Sequence, residues 1–280
     1  MDPTRNTREI FGPHGTVIKE KWPKPRLEVV NIVVCAKQIP DPSAPQSLDA
    51  NHNLNRSGKL LLDEADTYGV EMALQLCEAS GGEVIVVSMG DATDLTGLRT
   101  ALAMGAARAI VVSDPILRGA DALDTALVLS AVISSVAPDL VLTATESSDG
   151  YTGTVPAQIA ELLGWPSVTF AKSLSIAGNQ VNVSRQSEAG FDEVSVSLPA
   201  VVSVTAGVVE PRYASFKGIM AAKSKSVEVK TLSEIGVALV GGQAINSVTD
   251  APSRQAGEKF VDDGSAADKI VAFLESVKAL

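Results

Sequence analysis

Between Glu28 and Gly164 one pattern repeats: a short run of β-branched and apolar residues, then a stretch with helical spacing. The first run, Glu28 to Ala36, is nearly continuous in apolar character, as expected of a strand buried on both faces. Glu83 to Met89, Ala109 to Ser113 and Asp139 to Ala144 are of the same kind. Between the first two, Val70, Ala73, Leu74 and Cys77 recur at i, i+3, i+4 and i+7, predicting a helix that begins near Asp63 and closes at Gly81-Gly82. Leu95, Leu98 and Leu102 mark a second helix ending at Gly105. Leu123, Leu127 and Val128 mark a third, capped near Asp121 and stopped by Pro138. Strands separated by helices pair in parallel through right-handed crossovers. The expected fold is therefore α/β, a doubly wound, mostly parallel, Rossmann-like sheet.

In such a sheet ligands sit beyond the carboxyl ends of the strands, where the strand order reverses. If the order is 3-2-1-4, the reversal lies between the first and fourth strands, flanked by the loops at Cys35–Asp41 and Ala144–Thr152. The fourth strand runs into Thr145-Glu146-Ser147-Ser148-Asp149-Gly150-Tyr151-Thr152, and a helix follows with Pro156 in its first turn and Gly164 at its end. Such a loop at a helix N-terminus offers backbone N–H groups to an anion. Ordinary helix capping uses the same residue types, so by itself the loop reads first as a polar cap and only second as an anion site.

From Val168 the helices disappear. Val168–Phe170, Ser173–Ile176, Val181–Ser184, Val194–Leu198 and Val201–Thr205 read as short strands, with turns at Gly178-Asn179 and Ala189-Gly190, predicting an antiparallel extension. Residues 241–265 are polar and Gly-rich, and Ile270, Phe273, Leu274 and Val277 then define an amphipathic helix over Lys269 to Leu280. Its apolar face packs either on its own domain or on a partner subunit. The division expected is an N-terminal extension over 1–27, an α/β domain over 28–236, and a C-terminal linker and helix over 237–280.

Several function classes are disfavoured. The net charge of −10 argues against sequence-independent nucleic-acid binding. No apolar run reaches the roughly 18 residues of a membrane span, and the first 27 residues lack the apolar core of a secretory signal. Cys35 and Cys77 lie in apolar segments and suit a reducing compartment such as the cytoplasm. His14 and His52 are isolated, so no metal site is expected. No nucleophile elbow, Walker A or Gly-x-Gly-x-x-Gly fingerprint is present, and no catalytic residue is assigned. Asp63, Glu64, Asp66, Glu146 and Asp149 are the carboxylates near the strand ends, and most read as helix caps and solvated charges. An anion pocket without reacting groups favours a nucleotide binder over a hydrolase or kinase.

A second unusual stretch runs from Glu210 to Lys223. Phe216, Ile219 and Met220 lie among Arg212, Lys217, Lys223 and Lys225, and Ile219–Lys225 has the makings of a short helix. An apolar anchor ringed by cations suits an acidic docking partner. The alternative is that Phe216 plugs the core and the lysines are solvated.

Several motifs in register carry a resemblance. Leu98-Arg99-Thr100-Ala101-Leu102-Ala103-Met104-Gly105-Ala106-Ala107-Arg108-Ala109, Thr152-Gly153-Thr154-Val155-Pro156, and Pro211-Arg212-Tyr213 with Gly218-Ile219-Met220-Ala221-Ala222-Lys223 together resemble the β subunit of electron transfer flavoprotein. Arg185, Glu188-Ala189-Gly190 and Ser197-Leu198-Pro199-Ala200-Val201-Val202 match the same family, and the match runs from about Val30 to Ile235. The final helix resembles actinobacterial members. Gln186 stands at an often acidic position, and residues 1–27 match nothing in the family.

The resemblance implies a heterodimer with an α subunit that holds most of the FAD. Electrons would come from acyl-CoA or related dehydrogenases, as in fatty acid β-oxidation, and pass to a membrane quinone oxidoreductase or another acceptor. The β subunit would bind a structural AMP, or a second FAD in electron-bifurcating members. By position the nucleotide site would use Cys35, Asp63, Met89, Ala144, Thr145, Glu146, Ser147, Ser148, Asp149, Gly150, Tyr151 and Thr152. The dehydrogenase would dock on Arg212, Tyr213, Phe216, Ile219 and Met220, within a recognition loop over 210–223. A stand-alone nucleotide-binding module of the universal-stress type shares the sheet and is the remaining alternative.

Overall fold

The computed structural model describes residues 7–11, 17–21, 29–249, 251, 257 and 259–279. Its first compact unit extends to Ala244 and its second covers 245–280. The N-terminal segment contributes an antiparallel pair, β1 (Thr7–Phe11) and β2 (Val17–Lys21). His14 lies outside the described residues.

Four of the short apolar runs form the parallel centre of a sheet: β3 (Ile32–Cys35), β6 (Val84–Met89), β7 (Arg108–Val112) and β8 (Leu140–Ala144). Between β3 and β6 lies a small antiparallel pair, β4 (Gln38–Pro40) and β5 (Leu60–Leu62), whose strands are joined by a polar insert over residues 41–59. Strand residues alternate between two cores, because successive side chains point to opposite faces. Ile32, Val34, Val84 and Val86 face α1 (Glu64–Ser80) and α2 (Thr96–Met104). Val33, Cys35, Ile85 and Val87 face α3 (Ala122–Val136) and α4 (Val155–Leu163). Helices on both faces explain why these strands carry almost no polar residues.

The remaining strands are β9 (Ser167–Ala177), β10 (Gln180–Ser187), β11 (Gly190–Ser197), β12 (Ala200–Val204) and β13 (Val227–Lys230). The nine-stranded order is β11-β10-β9-β12-β8-β3-β6-β7-β13. The first four parallel strands thus follow the 3-2-1-4 order, and the reversal falls between β3 and β8, paired Ile32 with Leu140. Two expectations need correction. The two short strands before Gly178 are one strand, β9, interrupted by a register shift near Phe170, whose φ is 61°. β12 does not join the antiparallel extension; it runs parallel between β8 and β9, so only β10 opposes its neighbours.

After β12 come α5 (Phe216–Ala222), one turn earlier than the expected helix, then β13 and the short α6 (Leu232–Ile235). The chain then crosses the start of α3, where Asp124 accepts from the Val240 N–H at 2.7 Å and Asp121 accepts from Gly242 at 3.1 Å. In the second unit, α7 (Ala266–Ser276) forms where an amphipathic helix was expected, with Ile270, Phe273 and Val277 half exposed. Among the described residues, no helix is long and apolar enough to cross a membrane.

Candidate functional site

Three loops follow the carboxyl ends of β3, β6 and β8; Gln38 reaches the second, and Lys37 joins the first to the third and to the start of α1. Just beyond β3, its backbone N–H donates to Asp66 Oδ2 at 2.6 Å and its carbonyl accepts from the Asp63 N–H at 2.9 Å. Its ammonium reaches over the reversal to Asp149 Oδ1 at 2.6 Å and Ser147 Oγ at 3.3 Å. Arg56, from the polar insert, pairs with the other Asp149 oxygen and donates to the Gln38 carbonyl at 3.0 Å. The Gln38 side chain in turn donates to the Asp94 carbonyl at 2.8 Å and accepts from the Leu98 N–H at 3.2 Å, holding the start of α2.

Asp63 caps α1, as the sequence suggested, accepting from the Ala65 N–H at 3.2 Å. Its second oxygen accepts from the Ser148 N–H at 2.7 Å, so the same carboxylate fixes the β8 loop to the start of α1. It is only 1% exposed. Asp66 and Asp149 are not solvated charges either. Asp66 is 6% exposed, and the Asp149 side chain 7%. Burial, opposed by the Lys37 amide and reinforced by the Asp63 carboxylate, pushes the Asp66 carboxyl up to about 8. Burial would raise Asp149 too, but the Lys37 ammonium and Arg56 guanidinium outweigh it and hold that carboxyl below its ordinary value.

The other predicted pocket residues fall around this cluster. Cys35 ends β3 and Ala144 ends β8, both buried, and Met89 ends β6 half-buried. Burial, with Asp66 nearby, pushes the Cys35 thiol up to about 12, so it stands at the end of β3 as an apolar group. Thr145 faces the sheet, donating to the Val204 carbonyl at 3.1 Å. Glu146, Gly150, Tyr151 and Thr152 are exposed, and Tyr151 has a φ of 49°. Among the described residues, no acceptor meets the N–H groups of Thr152, Gly153 or Thr154, and Thr154 at the N-cap of α4 makes no side-chain cap bond. The plain polar cap that the residue types allowed is therefore not made. A loop with open N–H groups beside Lys37 and Arg56 has the chemistry to receive a phosphate, as a nucleotide monophosphate would present. The site residues read from the sequence leave out Lys37 and Arg56, and Asp66 stands there only among the carboxylates near the strand ends; two tandem carboxylates around a helix cap, Asp63 and Asp66, are the available signal.

The second candidate region is brought together only in part. Tyr213 and Phe216 are 95% and 81% exposed, with Ile219 and Met220 about half exposed beside them. Phe216 is thus no core plug. Lys217 and Lys223 are exposed, whereas Lys225 is not part of a cationic rim, since its ammonium caps the end of α2 at the Leu102 and Ala106 carbonyls, 2.9 and 2.7 Å away. Arg212 is turned inward onto α1, where its Nε meets Glu71 Oε2 at 2.7 Å.

A family profile described as the electron transfer flavoprotein domain matches residues 52–235. A beta subunit of electron transfer flavoprotein from Mycobacterium bovis is 39% identical over 266 residues, 90% of this chain and 100% of its own length. The chain belongs to the electron transfer flavoprotein beta-subunit family. Its counterpart in Mycobacterium leprae is 38% identical over the same shares, and that of Syntrophomonas wolfei is 34% identical over 84% of this chain and 91% of its own. The actinobacterial likeness of the final helix agrees with the full-length coverage of the mycobacterial relatives. Within this electron transfer flavoprotein fold, the β3–β8 reversal and the exposed segment before α5 are separate surfaces on one unit.

Proposed function

We propose that the chain pairs with an α subunit to form a FAD-containing electron carrier, and that its own site holds a structural AMP. The observation that carries the nucleotide reading is the β8 loop at the strand reversal, its Thr152–Thr154 N–H groups unmet and its far side held by Asp63, Lys37 and Arg56. Thr152, Gly153 and Thr154 would receive the phosphate at the positive end of α4. Lys37 and Arg56 supply compensating charge, and Cys35, Met89 and Ala144 supply the apolar wall. AMP brings no redox chemistry and serves to order the loop. FAD, held mainly by the α subunit, is the group that accepts and gives up electrons. In this reading the chain serves as part of a carrier, holding the nucleotide and presenting a docking surface.

Tyr213, Phe216, Ile219 and Met220 form the surface on which acyl-CoA or related dehydrogenases dock, and a quinone oxidoreductase or another acceptor receives the electrons. Denaturing the purified two-chain complex and identifying what it releases tests the site. One AMP and one FAD per heterodimer is the expected result. Two flavins and no AMP would place a second FAD in the β site and make the complex an electron-bifurcating one, and neither nucleotide would overturn the pocket. Phe216→Ala should slow electron transfer from a reduced dehydrogenase at low carrier concentration with the fold intact; unchanged kinetics would remove the docking surface.

A further inference from the structure

Arg212 lies at the start of the exposed apolar segment, yet its donors point away from it. The guanidinium Nε donates to Glu71 Oε2 at 2.7 Å, Nη2 to Glu71 Oε1 at 3.1 Å, and Nη1 to Glu78 Oε1 at 2.6 Å. The Arg212 backbone N–H adds a bond to Glu71 Oε2 at 3.2 Å. Glu71 and Glu78 stand two turns apart on α1, on one face. Gln75, between them, donates to Glu71 Oε1 at 2.8 Å, so both oxygens of this carboxylate are occupied from two sides. Glu71 is 3% exposed and out of reach of any docked protein.

Two further ties hold the other end of the segment. Arg99 on α2 donates to the carbonyls of Ala222 and Lys225 at 2.6 and 2.9 Å, and the Lys225 ammonium donates back to the end of α2. Gly218 lets the two helices touch: a Cβ there would lie 2.4 Å from the Ala103 carbonyl oxygen. Phe216, Ile219 and Met220, spaced i, i+3 and i+4, are thereby turned outward on a backbone fixed to α1 before them and to α2 alongside and after them. A docking surface whose backbone is already ordered loses less conformational entropy when a partner binds.

We propose that Arg212 is a positioning residue for docking: it does not touch the dehydrogenase but, through Glu71 and Glu78, holds Tyr213 and Phe216 where the partner meets them. The proposal rests on the docking reading of this surface. It makes a specific demand, namely that a buried glutamate and an arginine near the surface behave alike.

The test uses the intact two-chain carrier and an acyl-CoA dehydrogenase reduced by its own substrate, with Arg212→Gln, Glu71→Gln and Phe216→Ala compared with the wild type. Amide hydrogen exchange over Tyr213–Met220 should quicken about tenfold in both clamp variants, with exchange in β3 and β8 unchanged. The carrier concentration giving half-maximal electron transfer should rise several-fold in both, with the limiting rate unchanged. If Arg212→Gln raises half-saturation while Glu71→Gln does not, Arg212 touches the partner directly and the proposal is overturned. Unchanged exchange in both variants overturns it as well. Phe216→Ala separates the two layers: if even this variant leaves half-saturation unchanged, the docking reading fails and takes the proposal with it. If Phe216→Ala raises half-saturation while the clamp variants do not, the positioning role alone fails. Should Arg212→Gln not fold because it strands a buried carboxylate, the double variant Arg212→Gln/Glu71→Gln removes both charges and carries the same readouts.

Discussion

Burial beside Asp63 pushes the Asp66 carboxyl up to about 8, so the folded protein keeps a proton there that the unfolded chain releases at ordinary carboxylate pH. Stability from this group is full below the unfolded pKa and is lost as pH rises through about 8. Asp66→Asn should therefore gain on the wild type in thermal midpoint from mildly acidic pH up to that value and run parallel to it above; a constant difference would mean the group is ionised throughout. Asp149 behaves in the opposite sense. Its carboxyl is held low by Lys37 and Arg56 against the effect of burial, so its contribution is present above the ordinary carboxylate range and is lost on acidification below it. Lys37→Ala leaves Asp149 with Arg56 alone and should cost about 1–3 kcal/mol in urea unfolding at neutral pH, a loss that shrinks in acid. The two cysteines give a third residue-level test. Burial, with Asp66 and with Glu83 and Glu78 respectively, pushes the thiols of Cys35 and Cys77 up to about 12 and about 11. Neither should react with iodoacetamide at about pH 8 until the protein is unfolded.

Elements differ in how much of them a sequence reveals. The α1 helix was legible from end to end because Asp63 caps it, its apolar residues repeat at helical spacing, and Gly81 closes it at a φ of 86°. The α5 helix begins one turn before the helix its sequence pattern indicates. Its start is a Ser215 hydroxyl accepting from the Gly218 N–H at 3.0 Å, a cap without the following acid that would announce it, and the first helical residue is an exposed Phe. The β13 strand has no recognisable signal in the sequence. Val227-Glu228-Val229-Lys230 alternates with charges because it is an edge strand pairing only with β7, and four such residues carry too little signal alone. At this scale Gly218 is the informative position. Gly218→Ala should push α5 off α2, costing about 1–3 kcal/mol and speeding amide exchange in α5 more than in the central strands.

Over the whole molecule, every strand of the nine-stranded sheet lies before residue 245. Deleting residues 245–280 should accordingly leave the sheet's cooperative thermal transition in place. The α7 helix removed with them shows Ile270, Phe273 and Val277 half exposed, an apolar face of the kind that joins subunits. Pull-down of the α subunit by the truncated chain should be weaker than by the full one; equal recovery would show that the C-terminal segment has no part in assembly.

The sequence by itself determined the alternation of buried strands and helices, the caps at Asp63 and Asp121, and the position of the β8 loop, because each rests on local spacing and backbone preference. Only the tertiary structure decided which groups share a space. β12 slid between β8 and β9, Lys37 crossed the reversal to Asp149, and Arg212 turned away from the surface onto Glu71. The two side-chain pairings join residues 112 positions apart for Lys37 with Asp149 and 141 for Arg212 with Glu71. Short-range periodicity cannot encode such a choice. The loop at Thr145–Thr152 was visible in the sequence as a polar turn; its open N–H groups and the carboxylates and cations that brace it came from the fold.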